Sequence, residues 1–129
     1  MGLPFSPASF AAITVAFGVR NFVDLAGAFR EIGRVLLPGG VLAVLELHRP
    51  RRRAVAGIVR VWNRFVVTPV GRLISHDGDA YAYLPASVDT FPDRVETAEI
   101  LEAQGYTMLE SSDLSGGVAA LTVARWEGA

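Results

Sequence analysis

Two apolar runs, separated by an amphipathic segment, dominate the first third of the chain. The runs span residues 11–17 and 41–47, and neither alternates between apolar and polar positions. Such runs are typical of strands covered on both faces, as in parallel sheets. Between them, apolar residues recur at the spacing of one helical face: Leu25, Ala28, Phe29, Ile32, Val35 and Leu36. The pattern predicts a strand–helix–strand unit with parallel strands.

Polar and glycine residues mark the ends of this predicted helix. Asn21 or Asp24 can accept the free amide protons at its start, and Pro38-Gly39-Gly40 is expected to end it. A second helix is predicted from Phe91-Pro92-Asp93 to Gln104, with Gly105 as the stop.

Two further strands are predicted near the end of the chain, over residues 106–111 and 118–126. Ser115-Gly116-Gly117 lies between them and favours a tight antiparallel connection. The pattern therefore predicts an α/β fold that closes with an antiparallel pair of strands.

Residues 53–67 form a helical pattern with two distinct faces. One face carries Val55, Ile58, Val59, Trp62, Phe65 and Val66, and the opposite face carries Arg53, Arg60 and Arg64. Three interpretations stay open: an ordinary helix packed on the sheet, an interfacial or lid helix, or a cover for an apolar ligand.

The length of 129 residues suits one domain, residues 1–129. We divide it into a strand–helix–strand core (1–48), an amphipathic helix with lid loops (49–90), and a helix with a closing hairpin (91–129).

The amino-acid composition excludes several classes of function. A net charge of −1 argues against general nucleic-acid binding, and the absence of cysteine excludes disulfides and thiolate chemistry. No signal peptide or membrane-spanning run is recognised. The expected location is the cytoplasm, with contact to the inner face of the membrane as an option.

Polar side chains follow the two predicted parallel strands where each strand ends. Gly18, Arg20 and Asn21 follow the first strand, and Glu46 and His48 end the second. Ligands of open α/β sheets bind beyond the carboxyl ends of the strands, so these residues are predicted to converge on a pocket. The alternative is a helix cap and solvated charges.

The loop-rich segment 68–92 offers two further groups of candidates. His76, Asp77 and Asp79 have neither calcium-loop nor zinc-motif spacing, so no metal site is predicted. Tyr81 and Tyr83 are candidates for the wall of the pocket, with plain packing as the alternative.

Four segments carry a resemblance to a known family. Leu3-Pro4-Phe5 with residues 17–21 resembles L-P-F…F-G-L-R-N, and residues 34–48 resemble R-V-x-K-P-G-G…L-E-x-S. Residues 81–93 resemble Y-x-Y-L-x-x-S…P-D, and residues 114–121 resemble a closing N-L-t-G-G-i-v-A-L hairpin. In this order the segments resemble the UbiE-type C-methyltransferases of menaquinone and ubiquinone biosynthesis.

The resemblance implies a partial Rossmann-like class I methyltransferase fold, with parallel strands and a closing antiparallel hairpin. It covers only the carboxyl-terminal half of that family, and no G-x-G-x-x-G pattern occurs in the sequence. In the family, the other half carries the main binding motif for S-adenosylmethionine. The strand at residues 11–17 would then be an apolar edge, open to self-association.

The resemblance also implies an activity, S-adenosylmethionine-dependent C-methylation of a polyprenyl hydroquinone, either demethylmenaquinol or the ubiquinone-pathway benzoquinol. The isolated chain is expected to be inactive. Two alternatives stay open: a non-catalytic remnant that binds an isoprenoid or a partner chain, and a class I methyltransferase with another small-molecule acceptor.

Residue roles follow from matching the family motif. Arg20 and Asn21 match its catalytic positions; because arginine is a poor base, Arg20 is expected to stabilise a developing phenolate and Asn21 to orient it. Ala16, Phe17 and Gly18 match positions beside the cofactor, where small groups let the backbone approach closely. His48 replaces the usual serine and is an alternative base. The helix 53–67 would lie against the membrane or the isoprenoid tail.

Overall fold

The computed structural model describes residues 2–48, 53–62, 64–65, 88 and 91–128, with no description of the side chains of Arg53, Val55 and Val59. Four strands form one sheet in the order β1-β2-β4-β3: β1 Phe10–Ala16, β2 Leu36–Leu47, β3 Tyr106–Leu114 and β4 Ala119–Trp126. Three α-helices belong to the described part: α1 Leu25–Val35, α2 Arg53–Trp62 and α3 Arg94–Ala103. β1 and β2 are parallel, whereas β4 is antiparallel to both β2 and β3.

The predicted strand–helix–strand unit is confirmed as β1-α1-β2. Asp24, and not Asn21, caps α1, because its side chain accepts the Gly27 amide. The helix ends at Val35, before Pro38-Gly39-Gly40, so the prediction that these residues end it was wrong. They instead lie inside β2, where the register with β1 shifts and Gly39 adopts a φ of +80°.

The closing hairpin is also confirmed; β3 extends three residues beyond the predicted strand, and β4 starts one residue later than predicted. Ser115, Gly116 and Gly117 connect β3 to β4, and all three have positive φ. α3 starts one residue after Asp93, whose carboxylate and Glu96 form a reciprocal capping box.

The hydrophobic core lies between the sheet and the two helices α1 and α3. The predicted apolar stripe of α1 provides Phe29 and Ile32, and α3 provides Leu101. From the sheet, Leu42 and Trp126 point into the same core. The Trp126 ring lies so close to Gly33 that a Cβ there would be within 2.7 Å of it. Glycine at this position therefore lets α1 approach β4.

Only one face of the sheet is covered in the described part of the chain, which corrects the prediction of strands buried on both faces. Burial alternates along β2, where Leu42 and Val44 are buried while Val41, Ala43 and Leu45 are half-buried. The apolar runs are real, but every second residue points away from α1 and α3. We call this second side the open face; its residues are Ala12, Thr14, Ala16, Val41, Ala43, Leu45, Leu47, Ala119, Leu121 and Val123.

Two charged residues of α1 bind the backbone of residues 3–5, which precede β1. The Glu31 carboxylate accepts the Leu3 amide at 2.8 Å, and Arg34 donates to the carbonyls of Leu3 and Phe5. Arg34 also donates to Glu31 at 2.7 Å, and this bond together with the Leu3 amide lowers the pKa of Glu31 to about 2. The sequence pattern alone gave no indication of this contact.

The segment 53–67 is helical from Arg53 to Trp62. Ile58, Val61, Trp62 and Phe65 are all more than half exposed. These side chains therefore do not pack closely on the sheet. Among the described residues, none of the helices combines the length and the apolarity needed to cross a bilayer.

Candidate functional site

The end of β1 is shaped by a strained residue followed by a short 3-10 turn. Phe17 has a φ of +55°, unusual for a residue with a side chain, while its amide still donates to the Leu45 carbonyl of β2 at 2.8 Å. The turn Val19–Asn21 follows, and the fully buried Val19 fixes it to the core. Arg20 is thereby directed towards the end of β2.

Arg20 and Glu46 form a buried ion pair across the ends of the two parallel strands. Arg20 Nη1 donates to Glu46 Oε1 at 2.7 Å, with 12% of the Arg20 side chain and 0% of the Glu46 side chain exposed. Glu46 also accepts the backbone amides of Arg20 at 3.2 Å and Leu47 at 3.0 Å. The predicted meeting of these two side chains is therefore observed.

The ion pair with Glu46 does not use all the hydrogen-bond donors of the Arg20 guanidinium. Nη1 also donates to the Phe17 carbonyl at 3.3 Å, whereas the buried Nε of Arg20 has no hydrogen-bond partner within the described residues. Because Glu46 carries the opposite charge, it neutralises much of the field of Arg20. Its second effect is to fix the orientation of the guanidinium.

His48 follows β2 and is buried, with 4% of the residue exposed. Its Nδ1 lies 2.9 Å from the Pro92 carbonyl, so Nδ1 carries the proton and Nε2 is the basic nitrogen. The ring packs edge-on against Phe91. Burial lowers the pKa of His48, against smaller opposing effects of the Pro92 carbonyl, Glu46, Asp93 and Asp113. The imidazole is therefore neutral near pH 7 and able to accept a proton.

Phe91 and Pro92 were missed as site residues by the sequence reasoning. The Phe91-Pro92-Asp93 segment was interpreted only as the start of a helix. The proline carbonyl is nevertheless what fixes the His48 tautomer, 44 residues along the chain. A backbone carbonyl has no sequence signal, so the pattern could not reveal this contact.

The remaining predicted residues lie at the end of β1. Ala16, Phe17 and Asn21 are exposed, and 47% of Phe17 is accessible. Gly18 has ordinary negative φ, and a Cβ there would meet only Val15 and Ala16 at 3.5 Å or more. Among the described residues, neither the backbone angles nor the surroundings of Gly18 require a glycine.

Other candidates lie outside the described residues. These are Tyr81 and Tyr83, and the cluster His76, Asp77 and Asp79. Within the part of the chain that the structure describes, no group of three acidic or histidine side chains could hold a metal ion.

The fold is similar to that of solved methyltransferases. A SAM-dependent methyltransferase from Aquifex aeolicus superposes on 96% of this chain and 50% of its own, with a TM-score of 0.60 and 14% identity. The mixed sheet and its helices therefore form part of the Rossmann-like class I methyltransferase fold.

Sequence comparison then identifies the family. Residues 1–125 match the model of the ubiE/COQ5 methyltransferase family, to which this chain belongs. A ubiquinone/menaquinone biosynthesis C-methyltransferase UbiE of Syntrophotalea carbinolica is 42% identical over 92% of this chain and 50% of its own length. A demethylmenaquinone methyltransferase of a Mycobacterium species is 37% identical over 95% of this chain and 53% of its own. The chain thus spans about half the length of the curated relatives it matches.

Proposed function

We propose that this chain forms the acceptor-binding half of an S-adenosylmethionine-dependent C-methyltransferase that acts on a polyprenyl hydroquinone. The observation that carries the proposal is the buried Arg20–Glu46 pair at the ends of two parallel strands, in a member of this family. Demethylmenaquinol and the ubiquinone-pathway benzoquinol are both candidate acceptors, in line with the names of the relatives.

The acceptor ring needs negative charge before its carbon can attack a methyl group. His48 Nε2 is a suitable base for the hydroxyl proton, because the Pro92 carbonyl occupies Nδ1 and the imidazole is neutral. Arg20 stabilises the resulting phenolate through the part of its guanidinium that Glu46 does not occupy. Asn21, next in sequence and exposed, orients the acceptor oxygen.

Only one side of a cofactor site is provided by the described residues. The exposed Phe17 ring and the backbone of Ala16 and Gly18 would border S-adenosylmethionine. When bound, S-adenosylmethionine supplies the methyl group as an electrophile. No glycine-rich phosphate or nucleotide turn occurs in the sequence, so these residues are expected to bind the cofactor weakly by themselves.

The exposed apolar side chains of α2 suit the tail of the proposed acceptor. Ile58, Trp62 and Phe65 would contact an isoprenoid or the surface of the membrane that holds it, with Arg60 and Arg64 available to anionic headgroups. Vesicle co-sedimentation tests this contact. Trp62→Glu is expected to weaken binding to anionic vesicles, whereas Val23→Glu, at a fully exposed apolar position outside α2, is the matched control.

Two measurements test the proposed activity. Calorimetric titration of S-adenosylmethionine into the chain should give weak or undetectable binding; micromolar affinity would contradict our view of the incomplete cofactor site. Methyl transfer to demethylmenaquinol in detergent should be absent with the chain alone. Transfer is expected once the part of the Syntrophotalea carbinolica relative that the match leaves out is supplied as a separate polypeptide. Transfer to other phenols but not to the quinol would instead favour a different acceptor.

Variants assign the site in that reconstituted system. Arg20→Lys is expected to lower turnover at least tenfold with little change in cofactor affinity, because lysine cannot reproduce the guanidinium geometry. The matched control is Arg30→Lys, since Arg30 is exposed and bonds only Gln104 in the described part. His48→Gln should remove the acidic limb of the pH profile of turnover. Binding of the quinol without any turnover would favour the alternative of a non-catalytic binding protein.

A further inference from the structure

Three described residues other than glycine have left-handed backbone angles, and two of them lie at the same edge of the sheet. Phe17, with a φ of +55°, follows β1, and Ser115, with a φ of +50°, follows β3. Such angles cost free energy for a residue with a Cβ, so glycine normally occupies them. Strained residues of this kind cluster at active and ligand-binding sites. The third residue, Ala8, precedes β1 and therefore lies at the opposite edge.

The position of Ser115 relative to the candidate site is fixed by strand pairing. Ala119, at the start of β4, pairs with the last residue of β2 on one side and with the last residue of β3 on the other. Beyond this row, His48 follows β2 and Ser115 follows β3. The His48 amide donates to the Val118 carbonyl of the same connection at 3.0 Å. His48 and Ser115 are thus two strand spacings apart, roughly 10 Å, at the edge that also holds the buried ion pair.

The side chain of Ser115 has no partner within the described part of the chain. The residue is exposed, and none of the described residues forms a hydrogen bond with its hydroxyl. Glycine, which occupies the next two positions, adopts the same left-handed angles at lower cost. The serine therefore offers a hydroxyl group at a position where the backbone favours glycine, and that hydroxyl is available to a ligand.

We propose that Ser115 binds the second hydroxyl of the acceptor ring, an inference that rests on the proposed function of the site. A hydroquinone carries two hydroxyl groups on opposite sides of its ring. When one of them lies at Arg20 and His48, a ring that extends along the sheet edge towards β3 brings the other to Ser115. The distance of roughly 10 Å between the backbones of His48 and Ser115 accommodates one aromatic ring with a hydrogen bond of ~3 Å at each end. Ser115 thereby selects hydroquinones over phenols with a single hydroxyl.

The test compares two ligands that differ only in the second hydroxyl, naphthohydroquinone and α-naphthol. Each is titrated anaerobically with the 129-residue chain, and binding is followed by ligand fluorescence. The wild-type chain should prefer naphthohydroquinone by about two- to tenfold, the contribution of one neutral hydrogen bond. Ser115→Ala removes only the hydroxyl and should abolish this preference. An unchanged preference in Ser115→Ala would overturn the role of Ser115 and leave the proposed function intact, whereas a wild-type chain that binds neither ligand would contradict the acceptor site itself.

A second pair of variants tests whether the backbone at Ser115 favours glycine. Ser115→Gly and Ala8→Gly should both unfold at a urea midpoint no lower than that of the wild type, because relief of strain offsets the larger unfolded-state entropy of glycine. Only Ser115→Gly should lose the preference for naphthohydroquinone. Ala8→Gly, at the opposite edge of the sheet, is the matched control and should keep it. A lower urea midpoint for Ser115→Gly would show that the fold itself needs the serine, and would overturn the inference.

Discussion

Replacing Arg20 with methionine would leave the Glu46 carboxylate fully buried with two backbone amides as its remaining donors. Removing one partner of a buried ion pair typically costs about 3–5 kcal/mol, because the other charge stays desolvated. We expect a loss in that range for Arg20→Met. Glu46→Gln should cost less, about 2–3 kcal/mol, since 12% of the Arg20 side chain still reaches water and the amide oxygen still accepts backbone bonds.

Combining the two substitutions separates the energy of the Arg20–Glu46 interaction from the cost of shortening or neutralising each side chain alone. Arg20→Met with Glu46→Gln removes both charges while the glutamine oxygen keeps the backbone amides as donors, so its loss should fall short of the summed single losses by at least about 1.5 kcal/mol. Urea unfolding followed by circular dichroism gives the four free energies. The Arg125–Glu127 pair, with both side chains nearly half exposed, is the matched control. Arg125→Met should cost less than about 1 kcal/mol.

The refuting result is specific. If Arg20→Met costs no more than Arg125→Met, or if the two losses of the cycle simply add, then the guanidinium does not compensate the Glu46 charge. The assigned fixing of Arg20 by Glu46 would then be wrong, and with it the orientation on which the proposed phenolate contact depends.

Three other variants probe the fold and the imidazole. Gly33→Ala should destabilise the protein by about 1 kcal/mol net in urea unfolding, because overpacking against Trp126 outweighs the gain in helix propensity; Gly57→Ala, with open space at its Cβ, should not destabilise it. Tyr106→Phe removes a buried 2.8 Å bond to a carbonyl of α1 and should lower the midpoint of thermal unfolding, at a cost of about 1 kcal/mol. Burial lowers the pKa of His48 in the folded state, so the unfolded chain binds the proton more readily. The contribution of His48 to the free energy of unfolding should therefore be fully present above its unfolded pKa of about 6.5. It should decrease as the pH falls from that value towards the lower pKa of the folded state. In His48→Gln this pH-dependent loss should be smaller, and an unchanged dependence would contradict the assignment.

The predicted elements of the fold depend on local patterns, and they were confirmed for that reason. The apolar stripe of α1 follows the helical repeat within a single segment, and Gly116-Gly117 allows the positive φ angles of the closing turn. The ends of the elements were predicted less accurately. Asn21 belongs to the 3-10 turn after β1, so Asp24 caps α1 instead. Pro38-Gly39-Gly40 lies within β2, where the register with β1 shifts.

The candidate site was predicted only as a set of residues at one edge of the sheet. That Arg20 and Glu46 meet follows from parallel pairing, which the sequence indicates. That Glu46 is fully buried, and that the strained residue is Phe17 while Gly18 adopts ordinary angles, follows from packing around the turn. Composition carries no information on such packing.

The sequence by itself determined the strand–helix–strand unit, the closing hairpin and the family, because each is encoded in short runs of neighbouring residues. The tertiary structure alone decided which face of the sheet is covered and how the charges are compensated. The physical reason is distance along the chain: Arg20 meets Glu46 across 26 residues, and His48 meets the Pro92 carbonyl across 44. An apolar run shows that a strand can be buried on two faces, but only the packed helices show that, in the part of the chain that the structure describes, one of those faces is covered.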